Sequence, residues 1–395
     1  MGFFSRKPKL NTTGTSMKLS GILRERGYVH QHSAGLEEIT DGAQRTVYQG
    51  FDPSADSLHV GNLMGLLVMR RFLEAGHKVL FVLGGGTGMI GDPSGKSEER
   101  VLLTPGQVAH NGKLIAKQAA ALLGSGDFRV VNNADWLGKA NLLEFLRDVG
   151  KHFSVNAMIQ RDSVKERLDG REQGISYTEF SYMLLQAYDF LYLHEHYGCD
   201  WQHGSSDQWG NIVSGIDLIR RKTGKTAYGT THGLLINKST GKKFGKTEGG
   251  AVWLDPTKTS PFEFYQFWLN TSDADVEEYL LKMTLLPKAD IDAVMVEQKA
   301  APSSRAAQKK LAYEVTTLVH GASEADKARD FKNIPTILAG KLRDAIKDVS
   351  TSELRRLVEQ GGVSIEGGEK ITTIDEQLVA GSTVRVGKKK FYRVE

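Results

Sequence analysis

The chain has 395 residues, 40% hydrophobic and 25% charged, and a formal net charge of +4 from 51 basic and 47 acidic side chains. That length exceeds one ordinary domain and that composition is globular, so two or three folded domains are expected. No run approaches the roughly twenty apolar residues that cross a bilayer, the near-balanced charge announces no nucleic-acid partner by itself, and a lone Cys199 excludes an internal disulfide.

Residues 1–16 are basic, polar and free of acid, and Pro8 and Gly14 interrupt any helix, so this extension is expected to be disordered. It makes a poor mitochondrial presequence, and Arg6 breaks the myristoylation pattern; Met17 is a candidate alternative start. From about residue 45 to 235, short β-rich runs alternate with helical patterns: Thr46 to Phe51, Lys78 to Leu83, Phe128 to Asn132, Asp200 to His203 and Leu234 to Ile236. Such alternation predicts a parallel sheet covered by helices on both faces, with the ligand crevice beyond the strand C-terminal ends. The first strand runs through a turn marked by Pro53 and Gly61 into a helix opening near Asn62, which would aim helix-end N–H groups at phosphate. A helix from about Thr178 carries Tyr182, Gln186 and Asp189 on one face, and an aspartate set among aromatics is costly to bury without a hydrogen-bond partner. Lys243-Phe-Gly-Lys-Thr247 places two lysines beside a glycine, a clamp suited to pyrophosphate. Ser260-Pro261 is a helix start, and the chain then reads as helical to about Phe331. After Ile334-Pro335 an amphipathic helix at 351–360, closed by Gly361-Gly362, precedes a strand and a terminal hairpin rich in lysine.

His59-Val-Gly-Asn62 resembles the HIGH-type signature, and Lys243 to Thr247 the KMSKS-type signature, of class I aminoacyl-tRNA synthetases. The segments Tyr48 to Asn62, Gly84 to Gly95, Tyr177 to Phe190 and Gly204 to Asn211 follow the order of the bacterial-type tyrosyl-tRNA synthetase family, and the likeness runs from about residue 18 to the C-terminus. The resemblance implies a Rossmann-like catalytic domain over 17–255, an all-α anticodon-side domain over 256–333 and a small α+β RNA-binding module over 334–395, like that of a ribosomal small-subunit protein (the S-four type). It implies that His59, Asn62, Lys243, Lys246 and Thr247 act on the phosphates, and that Gly50, Asp52, Gly61 and Asp207 join them in holding ATP. Tyr182, Gln186 and Asp92 would hold the tyrosine ammonium, Tyr48 and Asp189 its hydroxyl, and Gln208 its carboxylate, with Gln202 nearby. Arg355, Arg356, Lys388, Lys389 and Lys390 would face RNA. The expected partners are L-tyrosine, ATP with its magnesium, and tRNA(Tyr). A cytoplasmic homodimer is expected, with the segment from about Gly124 to Phe153 at its interface and no protein-bound metal.

Asn62 stands where the signature has a second histidine, Phe244-Gly245 where the other has Met-Ser, and Ser205 where glycine is common. The rivals are a tryptophanyl-tRNA synthetase and a non-catalytic RNA-binding paralogue. A P-loop at Gly91 to Ser97 fails on spacing, and His194-Glu-His196 lacks the spacing of a zinc helix.

Overall fold

The computed structural model describes residues 17–94, 103–161, 164–165, 168, 174–238, 241, 244, 246–247, 250–330, 334–365, 369–387 and 390–395, with backbone alone at 246 and 247. The extension at 1–16 therefore lies outside the described residues. Two compact units result: the chain through Ala251 together with Leu281–Met283, and Val252–Leu280 together with Thr284–Glu395.

The first unit is built on six strands: β1 (Gln31–His32), β2 (Thr46–Phe51), β3 (Lys78–Leu83), β4 (Phe128–Asn132), β5 (Cys199–Ser205) and β6 (Tyr228–His232). Their spatial order is β1-β6-β5-β2-β3-β4. All neighbours are parallel except β1, which runs antiparallel to β6. The chain leaves β2 toward β3 and β4, then returns to β2's other side as β5. The crevice between the ends of β2 and β5 is the topological switch point, where a Rossmann-like sheet places its ligand.

The runs expected for β2, β3 and β4 are the observed strands, and β5 extends its expected run at both ends. The last strand was expected at Leu234 to Ile236 and lies at Tyr228–His232 instead. Its β-branched Thr230 and Thr231 hold it in place, since Trp201 Nε1 donates to Thr230 Oγ1 at 2.8 Å and Thr231 Oγ1 donates to Gln31 Oε1 at 3.1 Å. Ile236, by contrast, is exposed. The two residues of β1 are too few to show a period.

Helix starts are written locally. Thr104 and Gln107 form a capping box for Pro105–Leu123, and Ser176 caps Tyr177–Tyr197 by accepting from Glu179 N. The core joins sheet to helices through Tyr48, Leu80, Val82, Phe190, Leu193 and Cys199. The Cys199 thiol is fully buried, donates to the Thr46 carbonyl and is held protonated by desolvation, so it is a structural thiol. Among the described residues, no helix is long and apolar enough to cross a membrane.

In the second unit the helix start expected at Ser260-Pro261 is observed, with a capping box of Ser260 and Glu263 and Pro261 in the first turn. Helices Pro261–Leu269, Lys288–Ala300, Ala306–His320 and Ala322–Arg329 follow. Further on, Thr351–Glu359 packs Leu354 and Val358 into a cluster with Val363, Val384, Val386 and Val394. The sheet there orders Val363–Ile365, Thr383–Val386, Lys390–Val394 and Thr336–Ile337, the last pair parallel and the middle pair forming the expected hairpin.

In the first unit the helices Tyr177–Tyr197 and Trp209–Thr223 meet where a Cβ on Gly215 would lie 2.9 Å from Phe190 Cδ1 and 3.1 Å from its Cβ. Gly215→Ala is expected to lose about 1–3 kcal/mol in denaturant unfolding through overpacking. Gly106→Ala, where nothing lies within 4 Å of the added methyl, is expected to unfold at or above the wild-type midpoint. Equal losses in both variants would refute the close-approach explanation.

Candidate active site

Polar side chains gather at the C-terminal ends of the parallel strands. Asp52 follows β2, Thr87 and Asp92 follow β3, Asn133 follows β4, and Asp207 and Gln208 follow β5. The Tyr177–Tyr197 helix brings Tyr182, Gln186 and Asp189 to the same region.

At the segment after β2, His59 is the N-cap of Val60–Glu74, so the helix opens slightly earlier than expected. Its Nδ1 accepts from Gly61 N at 3.0 Å, while Asn62 Oδ1 accepts from His59 N at 3.1 Å, forming a capping box. The Gly61 N–H that the sequence reading offered to phosphate is consumed inside this cap. With Nδ1 acting as an acceptor, a neutral ring carries its proton on Nε2. Gly61 must be glycine for this arrangement, since a Cβ there would lie 2.7 Å from His59 Cε1. The Phe244 carbonyl oxygen lies 3.9 Å from that same Cβ position, so the centre of the lysine segment adjoins the helix start. Lys243 lies outside the described residues. Lys246–Thr247 forms a short strand paired with Gly250–Ala251. Gly50 is exposed on β2 with nothing within 4 Å of where a side chain would begin.

Three aspartates line the other side. Asp52 accepts from Thr87 Oγ1 at 2.8 Å and from Tyr182 Oη at 3.0 Å. Asp92 accepts from Ser94 N at 2.9 Å and from Gln208 Nε2 at 2.7 Å. Burial first and the Asp52 charge next push Asp92 up to about 6. Asp189 is 4% exposed and accepts from Trp136 Nε1 at 2.7 Å and Asn133 Nδ2 at 2.8 Å. Burial pushes its carboxyl up to about 7 against the opposing pull of those two donors. Burial, then the nearby charge of Asp189, raises Tyr48 well above the usual tyrosine range.

Tyr48 is 2% exposed, and its Oη is buried without a hydrogen-bond partner. Gln202, its partner in the β2–β5 register, likewise has a buried and unpartnered Oε1. Two orphaned polar atoms on adjacent strands are exceptions to the rule that buried polar groups are satisfied, and a polar ligand would satisfy them. Gln186 Oε1 accepts from Asn211 Nδ2 at 3.0 Å. Ser205, at the position where glycine is common, donates from Oγ to the Asp207 carboxylate.

The sequence reading missed Asn133, Trp136 and Thr87. Asn133 links the other two networks: its Nδ2 also donates to Thr87 Oγ1 at 2.9 Å, and its Oδ1 accepts from Gly86 N at 2.7 Å. One available signal was its place immediately after a strand of a parallel sheet. The partner that Asp189 requires when buried is thus supplied within the chain. The residues expected to bind RNA belong to the second unit. Arg355 and Arg356 are exposed there, Lys390 donates to Asp348 at 2.9 Å, and Lys388 and Lys389 lie outside the described residues.

Residues 40–334 match the family of class I tRNA synthetases for tryptophan and tyrosine. The chain is 50% identical over 354 residues to a tyrosine–tRNA ligase of Roseiflexus castenholzii, covering 87% of this chain and 83% of that one. It is 44% identical over 426 residues to a tyrosine–tRNA ligase of Bacteroides fragilis, covering 94% and 98%. A C-terminally truncated mitochondrial tyrosyl-tRNA synthetase of Aspergillus nidulans superposes with a TM-score of 0.72 at 33% identity, over 80% of this chain and 93% of that one. A Rossmann-like sheet with the helix-start and lysine segments at its switch point, together with these matches, defines a class I tRNA synthetase. The chain belongs to that family and, within it, to the bacterial-type tyrosyl-tRNA synthetases.

In the ligand-free protein Asp189 is expected to titrate near pH 7. Asn133→Ala removes a donor to the ionised form, so the titration should move upward. Infrared difference spectra of the carboxyl band, assigned with Asp189→Asn, would detect this; a downward or absent shift would refute the role given to Asn133.

Proposed function

We propose that the chain joins L-tyrosine to tRNA(Tyr) in two steps on this one site. The tyrosine carboxylate attacks the α-phosphorus of ATP, a carboxyl O–P bond forms, the bond to the β-phosphate bridge breaks, and pyrophosphate leaves. The ribose hydroxyl at the tRNA 3′ end then attacks the acyl carbon of tyrosyl-adenylate and AMP leaves. No enzyme nucleophile is required, so catalysis consists of alignment and of stabilising charge on the phosphates. His59, through Nε2–H, and Asn62 meet the phosphates from the helix start; Lys243, Lys246 and Thr247 close over the departing pyrophosphate. Magnesium accompanies ATP. Gly50, Asp52 and Asp207 hold the nucleotide, with Asp207 toward the ribose, while Gly61, its N–H spent on His59, lets the nucleotide approach the backbone closely.

The observation that carries the choice of amino acid is the orphaned Tyr48 Oη beside the doubly held Asp189 carboxylate. A substrate phenol would satisfy both, donating to Asp189 and accepting from Tyr48. Phenylalanine would leave both without that partner. Asp92, Tyr182 and Gln186 form the acidic wall for the ammonium, and Gln208 reads the carboxylate. The helical segment at 256–333 and the module at 334–395 approach tRNA, the latter through Arg355, Arg356, Lys388, Lys389 and Lys390.

We further propose a cytoplasmic homodimer with 124–153 in the interface. In support, the Leu142–Asp148 helix buries none of its residues, and Leu142 and Leu143 are 69% and 75% exposed. Sedimentation at working concentration should give a dimer, and a stable monomer would remove this claim.

ATP–pyrophosphate exchange with each of the twenty amino acids should respond to tyrosine alone. Asp189→Ala should cut discrimination against phenylalanine by about 10- to 100-fold, the value of a hydrogen bond to a charged group. Lys246→Ala should slow activation by about 100-fold with little change in tyrosine KM. Unchanged exchange in both variants would overturn these assignments.

A further inference from the structure

Two buried histidines beside the nucleotide end of the crevice are used by nothing described so far. His203 in β5 and His232, the last residue of β6, are 3% and 4% exposed. His203 Nε2 and His232 Nδ1 lie 2.9 Å apart, His203 Nδ1 lies 2.8 Å from Thr230 Oγ1, and Trp201 Nε1 donates to that same oxygen at 2.8 Å. Burial holds His203 well below the usual histidine range and His232 down to about 4, so both rings are neutral at neutral pH.

A neutral imidazole has one donor nitrogen and one acceptor nitrogen, so the polarity of this chain is all or none. In one direction Thr230 donates to His203, His203 Nε2–H donates to His232 Nδ1, and His232 presents Nε2–H at the end. In the other, every N–H points back, Thr230 Oγ1 accepts twice, and His232 ends in a bare nitrogen. The first arrangement gives Thr230 one bond accepted and one donated. Charge favours it as well, because the nearby Asp207 carboxylate attracts an N–H. The sheet register places His232 opposite Ser205, whose hydroxyl donates to Asp207.

We infer that the Trp201–Thr230–His203–His232 relay fixes the His232 tautomer so that its Nε2–H, together with Ser205, orients the Asp207 carboxylate for the ribose hydroxyls of ATP. His232 is a positioning residue that acts through Asp207, and the inference rests on the ribose role proposed above for that aspartate. Ser205 fits the same purpose, giving Asp207 a donor that glycine would not.

The test is ATP–pyrophosphate exchange by the full chain with ATP, 2′-deoxy-ATP and 3′-deoxy-ATP. Wild type should prefer ATP over at least one deoxy analogue, and Asp207→Asn should lose most of that preference. His232→Phe should raise KM for ATP by about tenfold, the scale of weakening one ribose hydrogen bond to Asp207, and reduce the same preference while tyrosine KM stays near wild type. His232→Gln, which keeps a donor near the position of Nε2, should recover much of it. Thr230→Val, nearly isosteric, should move the preference in the same direction as His232→Phe and serves if the phenylalanine variant does not fold. If Asp207→Asn loses the preference while folded His232→Phe and Thr230→Val keep it, the relay is refuted. If Asp207→Asn keeps it as well, the ribose role of Asp207 falls and the relay's purpose with it.

Discussion

The pocket depends on how one negative charge is kept inside the protein. A buried carboxylate without partners costs several kcal/mol, and at Asp189 the two donors that offset this come from the turn after β4, through Asn133 and Trp136. Asn133 is in turn fixed by Gly86 N and bonded to Thr87, which donates to Asp52 after β2. Stabilising one side chain on the Tyr177–Tyr197 helix thus ties together the ends of three strands. Side chains that hold one another in this way lose less freedom when a ligand binds against them.

Electrostatically the site divides in two. The charge of Asp52 raises the proton affinity of both Asp92 and Asp189, an arrangement that an ammonium would relieve. The lysine segment adjoins the helix start instead, with the Phe244 backbone beside Gly61. Under the roles proposed above, an amino acid's cationic end would meet this acidic region and a nucleotide's phosphates the helix start, and the switch point of the sheet sets the two regions side by side.

Much of this was legible in the sequence because period and punctuation are local. β2, β3 and β4 showed as short β-rich runs, Ser260-Pro261 as a helix start, and Gly361-Gly362 as a stop. β6 was placed too late because Leu234 to Ile236 is the more apolar run, whereas Thr230 and Thr231 hold the strand through partners on other strands. Asn133 and Trp136 were missed for the same reason: nothing in Asn-Asn-Ala-Asp-Trp shows that a carboxylate more than fifty positions later will need them. The capping box of His59 and Asn62 escaped notice because neither residue is the usual Ser or Thr partner of a glutamate.

Under the role proposed for His59, that cap joins two jobs in one ring. The nitrogen that holds the first turn of Val60–Glu74 together cannot also serve a substrate, so the hydrogen offered to a phosphate would be preset on the opposite nitrogen. Fraying of that turn would free the imidazole to flip, and the correct orientation would become one of several. With that role, order at the start of this helix is a condition of the chemistry as well as of the fold.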